Sequence, residues 1–350
     1  MGYWKITEKG LGFNILKVLL TGSSGFLGGS LANLLKKNGY ELIATLRSNP
    51  SESLTKLADK IIRGDLIDPE FADECVSNAD AVIHTAGKSG SWGSYQSYFD
   101  ANVKTTQNLI SSCKKHGVKY FIYTSSPSCV FDMKDQNGID ETVPYPKKFS
   151  TFYPRTKAEA EQFVIKETSD DFMTISLRPH LIWGPGDRNL YPRIVARAKE
   201  KKPMLINNGK NKVDATFVDN VAYAHVLALQ KLSSPDGTIC NGKKYFITND
   251  EPMEVKEIIN SLLKYSGFQE VKYSIPEPIA YFAGCLSELF YFISGRKDEP
   301  NLTRFVVKEL ACNHWFDISA AKKDLGYSPL ISMEEGFKIF GKWAKENGLV

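Results

Sequence analysis

Residues 17–28 have the sequence KVLLTGSSGFLG, and this stretch decides the fold. The apolar residues at its start are typical of a buried strand, and the segment from Gly28 to Lys37 has the pattern of a helix. Gly22 permits a tight turn, Gly25 lets the backbone approach a ligand closely, and Gly28 lets the helix pack on the strand. A strand, a glycine-rich loop and a helix in this order predict a site for the pyrophosphate of a dinucleotide.

The rest of the first half repeats this alternation of strand and helix. Short apolar runs recur at 40–47, 61–62, 81–84 and 120–124, with helical segments between them. This pattern predicts an α/β fold with a doubly wound parallel sheet, the Rossmann arrangement.

The alternation of strand and helix ends after residue 184, and the later segments are mainly helical and rich in aromatic residues. The sequence therefore predicts three regions. They are an N-terminal extension at 1–14, a dinucleotide-binding domain at 15–184 to which some later segments return, and a mainly substrate-binding, mainly helical lobe at 185–350.

Composition restricts the class of protein. The 350 residues carry a net charge of only +4 without a long basic run, so a nucleic acid partner is not expected. The six cysteines form no C-x-x-C pair and the five histidines no H-E-x-x-H pattern, so we expect free thiols and no metal site. The N-terminus has no apolar core of a secretory signal, which indicates a cytoplasmic protein.

The choice of cofactor depends on the end of the second predicted strand. NAD enzymes usually carry an acidic residue there, but no carboxylate lies between Leu42 and Ser51. Arg47 could instead form a bidentate pair with a 2′-phosphate, while a solvated loop arginine is the plainer interpretation. We therefore favour NADP(H), with NAD(H) as the alternative.

Tyr153 and Lys157 form a Y-x-x-x-K pair. On a helix these positions share one face, so the hydroxyl and the ammonium converge. A nearby cation should lower the tyrosine pKa from its usual value of about 10, making Tyr153 an acid or base for a substrate oxygen. Lys157 could also hold the nicotinamide ribose. Pro154 is tolerated only in a first turn, which places Tyr153 at the start of the helix.

The G-x-x-G-x-x-G spacing together with Y-x-x-x-K resembles the extended short-chain dehydrogenase/reductase superfamily. The segments RPHLIWGPGD at 178–187 and DATFVDNVAYAH at 214–225 look like its 3β-hydroxysteroid dehydrogenase branch. This resemblance implies that Ser126 binds the substrate oxygen, with Ser125 as the competitor, and that Asn102 supports the catalytic hydrogen bonds. From spacing alone, Asn102 could equally be a plain helix cap.

The same resemblance implies the cofactor contacts. Besides the three loop glycines, Arg47, Tyr153 and Lys157, the expected cofactor-binding residues are Ser24, Phe26, Leu27, Asp65, Leu66, Thr85, Ala86, Gly87, Pro179, His180 and Leu181. For His180, a positioning or packing role is favoured over that of a catalytic base.

Segments 88–93, 123–130 and 177–187 are similar to a subgroup of this branch, the bacterial 2-alkyl-3-oxoalkanoate reductases. The resemblance implies an NADPH-dependent reductase for a large apolar ketone, interconverting a ketone and a secondary alcohol on a lipid- or steroid-like molecule. The expected substrate contacts are Ser89, Trp92 and Ser126. For Trp92, plain burial is the commoner fate.

Two other functions remain as alternatives, an NAD-dependent nucleotide-sugar epimerase and a non-catalytic NADP-binding sensor. Epimerases of the superfamily usually carry asparagine where this chain has Leu181, and its dehydratases place Asp-Glu where this chain has Pro127 and Ser128. Both differences count against a sugar-nucleotide enzyme, and the Tyr153/Lys157 pair counts against a sensor.

The longest apolar stretch is 279–293. It could form a tunnel lid or a helix lying on a membrane surface, or it could be ordinary core or a dimer contact. Its apolar residues run nearly all round the predicted helix, which favours burial over a one-faced membrane helix. We expect a homodimer, with peripheral contact to a membrane through 279–293 as an open alternative.

Overall fold

The computed structural model describes residues 15–187, 190–200, 204–296 and 298–349. The predicted extension at 1–14 lies outside these residues. The strands are β1 (Lys17–Thr21), β2 (Glu41–Leu46), β3 (Lys60–Arg63), β4 (Ala81–His84), β5 (Tyr120–Thr124), β6 (Gln136–Ile139), β7 (Met173–Pro179), β8 (Ile182–Trp183), β9 (Met204–Ile206), β10 (Lys212–Val213), β11 (Thr216–Phe217), β12 (Lys243–Ile247), β13 (Met253–Glu254), β14 (Tyr273–Ile275) and β15 (His314–Phe316).

Through most of the first half of the chain, α-helices alternate with these strands. They are α1 (Phe26–Lys37), α2 (Glu52–Leu57), α3 (Pro69–Val76), α4 (Tyr95–Phe99), α5 (Thr105–His116), α6 (Phe152–Lys166), α7 (Leu190–Lys199), α8 (Val218–Leu232), α9 (Val255–Tyr265), α10 (Glu277–Ser294), α11 (Arg304–Ala311), α12 (Ser319–Leu325) and α13 (Met333–Glu346). A π-helical segment, Asp100–Lys104, joins α4 to α5.

The central sheet has seven parallel strands in the order β12-β7-β5-β4-β1-β2-β3. This confirms the predicted doubly wound sheet. The direction of winding reverses between β1 and β4, and ligands of such sheets bind at this crevice, beyond the carboxyl ends of the strands. The glycine loop lies there, directly after β1.

Helices cover both faces of the sheet. Successive residues of each strand point to opposite faces, so they belong to different cores. In β1, Val18 and Leu20 belong to the core beneath α1 and α8, whereas Leu19 belongs to the core on the face of α3 and α5. Helix α8 packs on this sheet and β12 is its edge strand, although both follow residue 184 in sequence.

A third core belongs to the C-terminal part of the chain. Trp183 and Phe217 pack there against Phe337 and Phe340 of α13. Helices α7, α9, α10 and α11 and short strand pairs such as β9–β14 form a lobe next to the crevice, which we call the cap. Strands β6, β10, β13 and β15 form a four-stranded sheet that includes segments from both halves of the sequence.

One ion pair fixes α6 to the central sheet. Arg178 of β7 donates from Nε to Glu161 Oε1 (2.9 Å) and from Nη2 to Glu161 Oε2 (2.6 Å), and both side chains are completely buried. Tyr145 adds a hydrogen bond to the same carboxylate at 2.7 Å. Burial alone would raise the pKa of Glu161, but the guanidinium together with hydrogen bonds from Tyr145 and Ser125 outweighs it, and the pKa is lowered.

The apolar stretch at 279–293 forms most of α10, and the interpretation of it as ordinary core of this chain is wrong. Its fully buried residues are Ala280 and Gly284. A Cβ at Gly284 would lie 3.1 Å from the backbone nitrogen of Arg304, so α10 packs on α11 through its small residues and its large ones face outward. Seven of them are more than half exposed: Ile279, Phe282, Leu286, Leu289, Phe290, Phe292 and Ile293. Among the described helices, none has the length and apolarity needed to cross a membrane.

Replacing Arg178 by methionine should lower the free energy of unfolding by roughly 3–5 kcal/mol, because the Glu161 carboxylate would then be buried without a partner. The double variant Arg178→Met/Glu161→Met should recover most of that loss, since no uncompensated charge remains. Urea denaturation followed by circular dichroism measures both. The exposed Lys56–Glu52 pair provides the control, and Lys56→Met should change little. A double variant no more stable than the single one would contradict this account.

Candidate active site

The glycine loop has the geometry of a phosphate cradle. Gly22 has φ of +66°, and a Cβ there would lie 2.8 Å from the backbone nitrogen of Ala86. A Cβ at Gly28 would lie 2.2 Å from the carbonyl oxygen of Gly22. No side chain caps α1, which starts after Gly25, so the first N–H groups of the helix face the loop without a partner within the helix. These features fit a pyrophosphate, and Ser24, Phe26 and Leu27 form the loop and the first turn around it.

The segment after β4 is attached to the same loop. Thr85 donates from Oγ1 to the carbonyl oxygen of Thr21 at 2.7 Å, and the Ala86 nitrogen donates to Thr21 Oγ1 at 3.2 Å. Gly87 follows, with room so limited that a Cβ would lie 3.0 Å from Asn102 Oδ1. The three residues expected to contact the cofactor, Thr85, Ala86 and Gly87, therefore border the crevice between β1 and β4.

Arg47 and Asp65 lie at the far side of the loop, at the ends of β2 and β3. Arg47 Nη1 is 3.7 Å from Asp65 Oδ2, and the Arg47 side chain is 78% exposed. Leu66 is buried beside them. The end of β2 has no carboxylate of its own, but Asp65 after the neighbouring strand β3 brings one to Arg47, which the sequence alone did not indicate.

The catalytic residues expected from sequence converge at the carboxyl end of β5. Tyr153 is the second residue of α6, as Pro154 required. Lys157, one turn later, donates from Nζ to the carbonyl oxygen of Thr124 at 2.5 Å and lies 4.4 Å from the ring centre of Tyr123. Ser126 follows β5, and hydrogen bonding from its hydroxyl is one of the effects that lower the pKa of Tyr153.

The structure distinguishes the two candidate serines, Ser126 and Ser125, by their hydrogen-bond partners. Ser126 Oγ accepts hydrogen bonds from Ser128 N (3.2 Å) and Ser128 Oγ (2.9 Å) and is directed to Tyr153. Ser125 is buried and its hydroxyl lies towards Glu161 instead. The geometry therefore favours Ser126 as the residue that can reach a substrate oxygen.

The expected lowering of the Tyr153 pKa by Lys157 is not seen in this structure. Burial raises the pKa of Tyr153 and outweighs the hydrogen bonds from Ser126 and Ser128. Burial also lowers the pKa of Lys157 to about 8. A lysine with that pKa is largely uncharged where a tyrosine would ionise, so it offers the phenolate little stabilisation.

Asn102 does not open a helix, and the helix-cap interpretation is wrong. Ser94 caps α4 by accepting a hydrogen bond from the Ser97 nitrogen, and Asn102 lies inside the following π-helical segment. Its Oδ1 accepts from the Lys88 nitrogen at 2.7 Å, and its Nδ2 donates to the Lys88 carbonyl at 3.0 Å and to Thr156 Oγ1 at 3.0 Å. Asn102 thus joins the segment after Gly87 to α6.

Pro179 is the last residue of β7, and His180 and Leu181 follow it beside the crevice. His180 Nδ1 is bonded to the Asp214 carbonyl oxygen (2.6 Å), and Nε2 to Nδ1 of His314 (3.0 Å). Burial lowers the pKa of His180 to about 3. Both ring nitrogens are engaged and the ring stays neutral, which supports a packing role over that of a base.

The expected substrate residues lie at the contact between the crevice and the cap. Ser89 is exposed, and Trp92 is partly buried rather than enclosed in a core. The Trp92 indole donates to the carbonyl oxygen of Arg296 at 3.3 Å and packs edge-on against Tyr291 of α10.

Sequence reasoning missed Glu309, a residue of the cap helix α11. Its charge is one of the influences that raise the pKa of Tyr153, so the carboxyl lies close to the phenol. Burial raises the pKa of Glu309 itself to about 7. No local motif marks this residue, because only the folding of the cap brings it to Tyr153.

Replacing Glu309 by glutamine should lower the pKa of Tyr153, because a carboxylate disfavours a nearby phenolate. The pH profile of alcohol oxidation, which needs the phenolate as base, should therefore move to lower pH. Steady-state rates across a pH series measure the shift. Glu270→Gln, at an exposed position of the cap, is the control. An unchanged profile, or one moved to higher pH, would contradict the assigned proximity.

Comparison with known proteins identifies the family. A model of the 3-beta hydroxysteroid dehydrogenase/isomerase family matches residues 19–277. The 2-alkyl-3-oxoalkanoate reductase of Stenotrophomonas maltophilia is 41% identical over 92% of this chain and 98% of its own length, and that of Shewanella oneidensis 39% over 94% and 86%. The decarboxylating sterol-4-alpha-carboxylate 3-dehydrogenase of Saccharomyces cerevisiae is 38% identical over 94% and 98%.

Solved structures agree on the fold. The UDP-glucuronic acid 4-epimerase of Bacillus cereus in complex with NAD has a TM-score of 0.72 and 24% identity, covering 95% of this chain and 99% of that protein. The UDP-glucose 4-epimerase of Thermotoga maritima has a TM-score of 0.73 and 20% identity, covering 95% and 99%.

The family and its subgroup, both expected from the sequence, are therefore confirmed, and nothing favours the epimerase alternative over them. The chain belongs to the 3-beta hydroxysteroid dehydrogenase/isomerase family and is an NAD(P)-dependent dehydrogenase/reductase that acts on hydroxyl and keto groups.

Proposed function

We propose that this enzyme interconverts the 3-keto and 3-hydroxyl groups of a large apolar carboxylic acid. The observation that carries the proposal is the convergence of Tyr153, Ser126 and Lys157 at the end of β5, next to the glycine loop. This arrangement supplies a proton donor or acceptor and a second hydroxyl for one substrate oxygen.

The residues divide the work as follows. Tyr153 gives a proton to the oxygen during reduction and takes it back during oxidation. Ser126 donates a hydrogen bond to the same oxygen and orients it towards Tyr153. Lys157, fixed by its hydrogen bond to the Thr124 carbonyl oxygen, is the residue that we assign to the nicotinamide ribose. The chemistry that a bound nicotinamide dinucleotide supplies is hydride exchange with the carbon that bears the oxygen.

The substrate class is suggested by what two kinds of relative share. One group reduces a 2-alkyl-3-oxoalkanoate, and another dehydrogenates a sterol-4-alpha-carboxylate at position 3. In both, by their names, the carboxylate is attached to the carbon next to the one that carries the reacting oxygen. We therefore propose a β-hydroxy or β-keto acid with long alkyl chains or a fused-ring skeleton.

The cap suits such a molecule. Tyr291 and Trp92 line the contact between the cap and the segment after Gly87, and α10 exposes a continuous apolar face beside it. The sequence leaves two partners open, a membrane surface and a second copy of the chain. The exposed apolar face of α10 could contact either of them.

For the cofactor we propose NADP(H). Arg47 is exposed at the end of β2 and is bound only loosely to Asp65, so its guanidinium is available to a 2′-phosphate. Asp65 could accept a hydrogen bond from a ribose hydroxyl of NAD(H), which is why both dinucleotides must be compared.

Replacing Tyr153 by phenylalanine should reduce kcat by about 10²–10⁴-fold, the usual contribution of a general acid or base. The assay follows the oxidation of 2-alkyl-3-hydroxyalkanoic acids and 3-hydroxysteroid carboxylic acids with NADP⁺ and with NAD⁺. Tyr273→Phe, at an exposed tyrosine of the cap, is the control and should keep full activity. Full turnover by Tyr153→Phe, or a wild-type enzyme inert towards every acid, would reject the proposed function.

Replacing Arg47 by methionine should reduce kcat/KM for NADP⁺ by roughly tenfold or more, because a charge-assisted hydrogen bond to the 2′-phosphate is lost. The value for NAD⁺ should hardly change, and it serves as the control within the same enzyme. Equal losses with both cofactors would show that Arg47 does not recognise the 2′-phosphate.

A further inference from the structure

We propose that the Lys88 ammonium binds the carboxylate of the substrate and so selects β-hydroxy and β-keto acids over their neutral analogues. The inference rests on the proposed function and adds the residue that recognises the acid group. Lys88 follows Gly87 directly and was not singled out in the sequence as a site residue.

The backbone of Lys88 is held in place relative to the catalytic helix. Asn102 accepts a hydrogen bond from the Lys88 nitrogen (2.7 Å) and donates one to its carbonyl oxygen (3.0 Å). The same amide donates to Thr156 Oγ1 (3.0 Å), and that hydroxyl also lies 3.2 Å from the carbonyl oxygen of Tyr153. Lys88 and Tyr153 are therefore linked by a short chain of hydrogen bonds.

The Lys88 side chain is partly buried, and its contacts with Ser97 and Tyr98 are with neutral groups. Its Nζ donates to Ser97 Oγ at 2.8 Å and lies 4.6 Å from the ring centre of Tyr98. A Cβ at Gly93 would come within 3.3 Å of Nζ, so the chain encloses it closely. Within the described ranges, no carboxylate forms an ion pair with Lys88.

Glu299 approaches this segment, but both of its carboxylate oxygens already have partners other than Lys88. Glu299 Oε1 accepts hydrogen bonds from the nitrogen and the hydroxyl of Ser91, at 2.7 and 2.9 Å. Its other oxygen pairs with Arg193 of α7. Burying a cation without a counter-ion costs free energy. A substrate carboxylate that enters the crevice could therefore form a favourable charge-assisted hydrogen bond with the Lys88 ammonium.

Tyr98 lies between this cation and Tyr153 in the network of contacts. Its hydroxyl donates to the carbonyl oxygen of Trp92 at 3.0 Å. Burial, followed by the charges of Glu299 and Tyr153, raises the pKa of Tyr98 to about 12, so the two phenols are near each other. Lys88 packs on the ring of that tyrosine.

The chemistry of a β-hydroxy acid matches this arrangement. Its carboxylate carbon is two bonds from the carbon that bears the hydroxyl, so one molecule can place its oxygen at Tyr153 and its carboxylate at a cation close by. A carboxylate fixed in this way would orient the reacting carbon and leave the alkyl chains to the cap.

The test compares a 2-alkyl-3-hydroxyalkanoic acid with its methyl ester as substrates of the wild type and of Lys88→Met, which keeps the length of the side chain but not its charge. The wild type should prefer the acid. Lys88→Met should lose about ten- to a hundredfold in kcat/KM for the acid, the size expected for a hydrogen bond to a charged group, while the ester is little affected. Lys272→Met, an exposed lysine of the cap, is the matched control.

Cofactor binding by nicotinamide fluorescence separates the other outcomes. Weaker dinucleotide binding by Lys88→Met would assign Lys88 to the cofactor and overturn the inference. Equal losses for acid and ester, or a wild type that turns over both equally well, would overturn it as well, although the proposed oxidoreductase activity would stand. A wild type inactive on both acid and ester would reject the proposed function itself.

Discussion

The position of the catalytic helix depends on one buried pair of charges, Glu161 and Arg178. Neither side chain reaches solvent, so each charge is tolerated only while the other is in place. Glu161 lies one and two turns after Lys157 and Tyr153 on the same face of α6. Pairing Glu161 with β7 therefore fixes the rotation of the helix about its axis and turns the tyrosine towards the end of β5.

The same burial governs the electrostatics above this pair. It raises the pKa of Tyr153 and lowers that of Lys157, so the charged form of each group is less stable here than it would be in water. A helix face that is dry enough to hold an ion pair is also dry enough to suppress isolated charges. Negative charge brought close to Lys157 would favour its ammonium form, and a charged ammonium would in turn favour the phenolate. In this site the tuning of the tyrosine is thus coupled to whatever anion occupies the crevice.

Sequence reasoning located the features that are determined locally. The glycine loop, the sheet strands and the start of α6 could be predicted, because strand–loop–helix patterns and the position of Pro154 carry the information within a few residues. Contacts between distant segments could not be predicted. Glu309 reaches Tyr153 only through the fold of the cap, and Asp65 reaches Arg47 only because β2 and β3 are neighbours.

Two predictions from the sequence, for Asn102 and for α10, were wrong because neighbouring segments change the environment of these residues. Asn102 resembles a helix cap in sequence, but Ser94 starts the helix earlier and leaves the amide free to bridge two segments. The residues of α10 are apolar all round, which indicates burial, yet Gly284 lets one narrow side pack on α11 while the large side chains stay outside.

The bridge made by Asn102 has a consequence for how such enzymes can diverge. The amide holds the segment after Gly87 and helix α6 as one unit, and its bonds go to Lys88 and Thr156, which both lie outside the cap. Mutations in the cap can then remodel the pocket for a new skeleton while this bridge is inherited intact. A scaffold built in this way separates the part of the chain that evolution can vary from the part that it must keep.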